Sequence, residues 1–421
     1  MNKIFKTKEK LPEGWQWVEL GKLCQKVYTV KRKEKALTDI FFYLDIGGID
    51  NLSNIIVAHK EYNWQDAPSR AQQIVYKNDI LFSTVRTYMK NIALINNEIY
   101  DGQIASSGFC VIRGSKEIIF QKFIFYYVIS EGFLRPLNEL QTGSSYPAVR
   151  DKDVFAQLFP LPPKEVQKNI VSKIEELFSE LDKGIENMRT AQQQLKIYRQ
   201  AVLKWAFEGK LTNQNVKEGV LLKGWKNVVL GDVCKNVQYG SATKSKLSGK
   251  IPVLRMGNIQ NGKLDWSDLV YTEDEEEIKK YLLKKGDVLF NRTNSAEWVG
   301  KTAIYKGERP AIFAGYLIRI NRIEDLLDPN FITYYLNSLE AKKYGNSIRS
   351  FGVNQSNING TKLKAYPLYL PPIVEQIKIV QEIESRLSVA DKMEESIIQS
   401  LQQAEALRQS IFKKAFEGKL V

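Results

Sequence analysis

The chain is written twice. Residues 161–211 return as 370–420 without a gap, a displacement of 209 positions, so Leu-Pro-Pro opens both copies and Ala-Phe-Glu-Gly-Lys-Leu closes both. About 160 residues precede each copy and share fewer landmarks: Gly14-Trp15 answers Gly224-Trp225, Leu20-Gly21 with Cys24 answers Leu230-Gly231 with Cys234, and Asp79-Ile-Leu-Phe82 answers Asp287-Val-Leu-Phe290. A duplicated unit whose second part is kept while its first part has drifted describes one scaffold presenting two different globular heads.

A chain of 421 residues exceeds what one core usually supports, and the repeat supplies the cut. Hydrophobic content of 43% is ample for packed cores. No apolar run reaches the roughly 18 residues of a membrane span, and Met-Asn-Lys-Ile-Phe-Lys at the start lacks the apolar stretch of a signal peptide, so a soluble cytoplasmic protein without membrane association is expected. The three cysteines fit a reducing compartment, and Cys24 and Cys234, each following apolar sequence at equivalent positions, read as core thiols.

The net charge of +13 is unevenly spread: the repeated segments carry +1, residues 1–162 carry +4 and residues 212–371 carry +8. Excess positive charge therefore sits on the heads. That is the distribution of two polyanion-binding modules on a neutral spacer.

In the first repeated segment, Ile170, Ile174, Leu177, Leu181, Met188 and Leu195 recur at spacings of three and four, continuing through Tyr198, Val202 and Trp205. Placing Ile174, Leu181, Met188, Leu195 and Val202 at heptad position a puts Ile170, Leu177 and Trp205 at d. In the second segment Ile383, Ile397 and Ile411 fall at a, with Ile379, Met393 and Leu407 at d, interrupted there by Arg386, Ser400 and Lys414. Proline before and Gly209 or Gly418 after delimit about 45 residues, roughly 67 Å of helix. With the order head, helix, head, helix, the simplest closed packing of the two helices is antiparallel.

The heads read as short strands with little helix: strands at 41–46, 74–82, 92–95 and 109–112 in the first, at 253–256, 287–291, 302–305 and 316–320 in the second, and one helix in each, at 120–130 and 329–337. The expected fold class is α+β, two pseudo-symmetric, mostly β heads separated by two long helices packed as an antiparallel coiled coil. The segments run 1–162, 163–211, 212–371 and 372–421.

Loops at matching positions carry the donors that a nucleic-acid reader requires. Tyr239, Ser241, Thr243, Lys244 and Lys246 stand in the second head where the first has Lys31, Arg32 and Lys33 after Tyr28. Arg292, Asn294 and Ser295 follow one strand; Ser83, Arg86, Tyr88 and Lys90 close or follow its counterpart. Arg86 or Arg292 can fork onto a guanine or a phosphate, and Asn294 can pair with adenine. A third pair of loops, with Ser145 and Tyr146 in one head and Arg349, Asn354 and Gln355 in the other, precedes each long helix.

These stretches carry a family resemblance across essentially the whole chain. Gly-Asp-Val-Leu-Phe-Asn-Arg-Thr-Asn-Ser at 286–295 and Pro-Leu-Tyr-Leu-Pro-Pro-Ile-Val-Glu-Gln at 367–376 resemble the specificity (S) subunits of type I restriction-modification systems. The first head departs, since Lys77-Asn-Asp-Ile-Leu-Phe-Ser-Thr-Val-Arg86 lacks the Arg-Thr-Asn core; Arg86 is its nearest equivalent. The resemblance implies that each head is a target-recognition domain reading one half of an asymmetric, bipartite double-stranded DNA sequence. It also implies that the helices set the gap between halves and hold two methyltransferase (M) subunits, which restriction (R) subunits join. S-adenosylmethionine and ATP would be cofactors of those partners, and none is expected on this chain.

The residues themselves argue against catalysis here. His59 is the single histidine, no Cys/His spacing suits zinc, and both Pro-Pro pairs follow leucine where an amino-methyltransferase needs Asn or Asp. The stretch 257–263 nearly spells a phosphate-binding loop, but Leu264 replaces the hydroxyl residue. The acidic run 273–277 reads as a solvated face. Two other classes are distinguishable: a self-contained DNA-modifying enzyme would bind S-adenosylmethionine alone, and a scaffold with protein-binding heads would show no salt-dependent DNA affinity.

Overall fold

The structure, a computed structural model, describes residues 11–213, 215–217, 220–351 and 355–421. The chain divides into two compact units, one made of the chain up to Met188 together with Gln399–Val421, the other of Arg189–Ile398. Each unit contains one head and parts of both long helices, which run unbroken over Lys164–Phe207 and Ile373–Phe416.

The two heads share a plan. Strand Ile80–Ser83 lies between Phe109–Ile112 and Ile92–Leu94, all antiparallel, as Val288–Asn291 lies between Leu317–Arg322 and Thr302–Ile304. A second sheet in each head holds a parallel pair, Ile40–Leu44 with Ile104–Ser106 and Ile251–Leu254 with Ile312–Phe313. All four residues of the central strands are buried, as befits strands covered on both faces. Entry and exit of each head pair antiparallel, Gln16–Glu19 with Leu158–Leu161 and Lys226–Val229 with Pro367–Leu370, so the exit strand delivers the chain into its long helix from a fixed point.

The strand expected over 74–82 is two strands, Ala71–Ile74 and Ile80–Ser83. The apolar run hides a turn: Asn78 takes a positive φ of 73°, and the Asp79 carboxylate accepts from the Tyr76 N–H at 2.8 Å. Helix is also more abundant than one per head. Besides Gln121–Val128 the first head has Glu131–Glu139 and Asp151–Phe155, and besides Pro329–Leu336 the second has Glu275–Tyr281, Leu339–Ile348 and Gly360–Lys364. The acidic run 273–277 starts one of these, with Asp274 accepting from the N–H groups of Glu276 and Glu277, where negative charge favours a helix N-terminus. The stretch 257–263 forms a hairpin turned by Asn261 and Gly262, both at positive φ.

Within the first unit Phe178 packs on Phe412, ring centroids 5.0 Å apart, and Arg408 reaches back to Asp182. Numbers fall on one helix as they rise on the other, so the helices are antiparallel. In the second unit Arg199 binds Asp391 and Glu394 at 2.5 and 2.8 Å. Ile170, Ile174, Leu195, Ile379, Ile383 and Ile411 are buried as the heptad assignment requires, and Leu177, Leu181, Met188 and Ile397 are half-buried. Met393 and Leu407 are exposed, so they do not belong to the seam; Trp205 is exposed too. Apart from Ile170 and Ile379, d residues buried near the start of each helix, the row beside position a is e: Val171, Phe178 and Ala206 in the first helix and Val380 and Ala415 in the second are buried there, while Arg199 and Arg408 make the interhelical ion pairs. At 100° per residue, e stands about 40° from a, and Arg386, Ser400 and Lys414 make d the poorer choice. Toward each end the stripe widens because a short helix of the head packs on it, Tyr127 and Phe123 lying 4.9 and 5.3 Å from Phe416.

Both long helices stop as expected. Gly209 and Gly418 take φ of +77° and +69°, and the N–H groups of Lys210 and Lys419 return to the carbonyls of Trp205 and Lys414 at 2.8 Å, the closing bonds of a Schellman turn. Cys110 and Cys234 are buried, Cys24 is half-buried, and all three are free thiols.

Candidate nucleic-acid interface

In the second head, strand Val288–Asn291 is followed by Arg292, whose backbone is held on both sides: its N–H donates to Tyr316 O at 3.0 Å and its carbonyl accepts from Ile358 N at 2.9 Å. The guanidinium lies over the Tyr239 ring, 4.9 Å from its centroid, and Nη1 donates to Gly315 O at 3.0 Å. Tyr239 is itself fixed, its hydroxyl accepting from Gly360 N at 2.7 Å. Glycine at 360 lets its backbone approach this closely, since an added Cβ would stand 2.9 Å from Val237 Cγ2 and 3.1 Å from the Tyr239 hydroxyl, so one of them would have to shift.

Thr293-Asn294 then pairs antiparallel with Ser356-Asn357, and Asn357 Nδ2 donates to Thr293 Oγ1 at 2.8 Å. Asn294 Oδ1 accepts from Ser295 N at 2.8 Å. Exposed Gln355 adjoins this pairing, and Arg349 reaches the same loop through Nη1, which donates to Ala296 O at 2.9 Å. Tyr239, Arg292, Asn294, Ser295, Arg349 and Gln355, far apart in sequence, thus converge on one loop cluster. Asn354 lies outside the described residues. Thr243 and Lys244 are exposed on the loop after Tyr239. Ser241, by contrast, is 6% exposed and turned inward, its hydroxyl accepting from Thr243 N, so it is not a surface donor. Lys246 is committed to Glu273, 3.0 Å away, beside the strand Val270–Thr272.

The first head builds a similar feature from different positions. Arg86 lies over the Tyr146 ring at 4.9 Å, and its Nη2 donates to Ser145 O at 3.0 Å. Its N–H donates to Pro147 O at 2.7 Å, as residue 294 pairs with Ser356 in the second head. Arg86 therefore stands in the place of Asn294 and not of Arg292, and Tyr146 in the place of Gln355. Arg86 and Lys90 both have positive φ, 50° and 56°, around the turn Thr87–Met89, a strained backbone held by neighbours. Asn51 and Asn54 donate to the Met89 and Lys90 carbonyls, Thr87 bonds Asn138 at 2.6 Å, and Lys90 pairs with Glu131 at 2.7 Å.

Ser145, Tyr146 and Tyr88 are exposed. Ser83 is 1% exposed, its hydroxyl donating to Val85 O at 2.9 Å, so it shapes the turn and presents nothing outward. Arg32 is also internal in its bonding: its guanidinium donates to the carbonyls of Pro68 and Ala71 and so ties the 31–33 stretch down. Lys31 pairs with Glu34, and Lys33 is exposed. Some residues went unnoticed in the sequence. Trp298 is exposed with Lys301 Nζ 3.7 Å over its ring, and desolvation, together with Lys342, holds that ammonium below the ordinary lysine range. Asn51, Asn54 and Asn138, the struts of the Arg86 loop, gave only the weak signal of asparagines between apolar runs.

Residues 12–189 and 222–403 match the family described as the type I restriction modification DNA specificity domain. Each match begins near the start of a head and extends into the long helix that follows it. The chain belongs to this family. Among type I specificity subunits, that of EcoKI from Escherichia coli K12 is 26% identical over 98% of this chain and 90% of its own length. The StySPI subunit from Salmonella potsdam gives the same three figures. A chain from a structure describing complex assembly and conformational transition of the type I R-M system superposes with a TM-score of 0.83, 28% identity and coverage of 98% of this chain and all of that one. The HsdS subunit from Thermoanaerobacter tengcongensis, also 28% identical, gives 0.64 over 98% of this chain and 99% of its own. This specificity-family chain therefore shares the two-headed α+β architecture of solved relatives along its length. Among the described residues, no helix is long and apolar enough to cross a membrane.

Proposed function

We propose that this chain is the non-catalytic, cytoplasmic DNA-reading subunit of a type I complex, each head recognising one half of an asymmetric bipartite duplex sequence. The observation that carries this reading is the stacked arginine at the same end of both central sheets, Arg292 on Tyr239 and Arg86 on Tyr146, each set among exposed polar loops. Stacking and a carbonyl bond hold the guanidinium plane in one orientation, which lowers the ordering cost of a directional contact to a base edge or a phosphate. Around these lie the exposed Thr243, Lys244, Ser295, Gln355, Ser145 and Tyr88 as further contacts. The antiparallel helices act as the spacer between half-sites and as the seat of two M subunits, with R subunits joining that core. Methyl transfer from S-adenosylmethionine and ATP-driven cleavage belong to those partners.

Exchange of residues 212–371 for the matching part of a relative tests the reading. Mapping of methylated bases in cells carrying the chimera with its M partner should show one half of the target changed and the other kept. A change in both halves, or in neither, would reject independent reading.

A further inference from the structure

A cleft of about 540 Å³ opens in the first head beside the turn that precedes strand Ile80–Ser83, the end of that strand away from Arg86. Five cations line it, Lys77, Arg113, Lys116, Lys122 and Lys164, against a single carboxylate, Asp79. Three of the five are balanced: Arg113 by Asp79, Lys77 by Glu98 and Lys122 by Glu175, each at 2.6 Å. Lys164 donates to the carbonyl of Lys116 at 2.6 Å, and among the described residues neither of these two lysines has a carboxylate partner. Two positive charges are therefore left over.

The second head is an internal control. Gln167 accepts from Phe120 N at 2.7 Å and donates to the carbonyls of Ile118 and Pro162; Gln376 accepts from Asp328 N at 2.8 Å and donates to those of Leu326 and Pro371. These identical patterns make Phe120 the equivalent of Asp328, and by the same displacement Lys116 answers Glu324 and Lys122 answers Asn330, while Lys164 answers Ile373. On the helix side, then, the wall is basic in one copy and acidic in the other. In the second head the Asp328 carboxylate caps its helix, accepting from Asn330 N and Phe331 N at 2.9 Å. In the first, Phe120 has no oxygen to offer and helix Gln121–Val128 lacks a side-chain cap.

We propose that this cleft binds a phosphate monoester on a small molecule of about nucleotide size, its dianion lying among Lys116, Lys122 and Lys164 where the second copy carries its own carboxylate. A monoester dianion matches the two uncompensated charges, whereas a phosphodiester or a carboxylate would leave one. Helix-start N–H groups bond phosphate oxygens readily. The volume exceeds that of phosphate alone, and Ile119 and Phe120 supply an apolar wall for the substituent. The inference stands apart from DNA reading by the Arg86 and Arg292 loops.

The test is calorimetric titration of the full chain at low salt with AMP, adenosine and inorganic phosphate. AMP should bind saturably at one site, adenosine should not bind, and phosphate alone should bind more weakly than AMP. Lys116→Glu combined with Lys164→Ile, both residues borrowed from the second copy, should weaken AMP at least about tenfold while leaving the mapped methylation sequence unchanged. Phe120→Asp, supplying the cap from within, should abolish binding. Adenosine binding as tightly as AMP, or undiminished AMP affinity in the double variant, overturns the proposal. So does displacement of AMP by non-target duplex, which would make the occupant a DNA backbone.

Discussion

Arg292 is best placed to test how a head meets DNA, because its guanidinium is already stacked and bonded before any ligand arrives. Replacing it with alanine should cost ~1 to 3 kcal/mol of target binding by the assembled complex if it contacts a base edge. Lysine should not rescue, since an ammonium cannot lie flat on Tyr239 and bond Gly315 O at once. Equal weakening on target and non-target duplexes would assign Arg292 to phosphate instead. Lys244→Ala, on an exposed loop, is expected to reduce the salt slope of binding by about one unit, and an unchanged slope would remove Lys244 from the interface. The cysteines make a separate prediction. Burial pushes the Cys24 and Cys234 thiols up to about 12 from their usual 9.0, and Cys110 is raised as well, chiefly by burial. Because the folded state favours the protonated thiol, the associated stability is intact below pH 9 and is lost progressively as pH rises toward 12. Native protein at pH 8 should accordingly shield Cys110 and Cys234 from a thiol-specific disulfide reagent until it unfolds, leaving half-buried Cys24 as the one thiol open to reaction, and rapid labelling of two or three thiols in the folded chain would contradict this burial.

At the scale of elements, the long helices separate what a heptad can foresee from what packing selects. Periodicity identified both helices and their glycine ends, because helix formation and termination depend on residues close in sequence. Which row of side chains meets the partner depends on the partner's surface and on the head helix laid against it, and here that replaced d by e beyond Ile170 and Ile379. Phe412 is 2% exposed and wedged among Phe178, Tyr126 and Phe416. Its replacement by alanine should cost ~3 to 5 kcal/mol. Met393→Gln and Leu407→Gln, on the exposed row, should each stay within about 0.5 kcal/mol of the parent. Denaturant midpoints of the three variants decide the matter; a Met393 variant as damaged as the Phe412 variant would restore the a/d seam. The extra head helices were missed for a related reason. They are only five to ten residues long, and short apolar runs do not declare their period.

At the scale of the whole molecule, the helices are expected to act as a ruler. Inserting about four residues into each, after Gly184 and after Met393, adds roughly one turn, or ~6 Å. With DNA rising about 3.4 Å per base pair, the half-sites should separate by one or two pairs while each half-sequence stays the same. Four residues overshoot one turn by about 40°, and each added pair also rotates one half-site about the DNA axis, so only a small change should be tolerated. Methylation mapping reads the outcome, and an altered half-sequence with an unaltered gap would place spacing in the heads.

Duplication, helix length and ends, the excess charge on the heads and the family were all legible in the residues, because each depends on composition or on spacing along the chain. The identity of the binding groups was only partly so. Ser83, Ser241 and Arg32 have the chemistry of DNA contacts, but strand register and loop closure turned two inward and tied the third to its own backbone. Arg86 was singled out from the sequence as the nearest equivalent of the Arg-Thr-Asn core, yet its place beside Pro147 and Tyr146, where the other head has Asn294 and Gln355, follows from pairing between segments some sixty residues apart. The basic cleft likewise gathers residues from 25 to 164, and its contrast with the second copy emerges only once matching hydrogen bonds show Phe120 standing where Asp328 caps its helix. Such contacts are made by residues distant in sequence, so their partners are set by the tertiary fold and leave no local period to read.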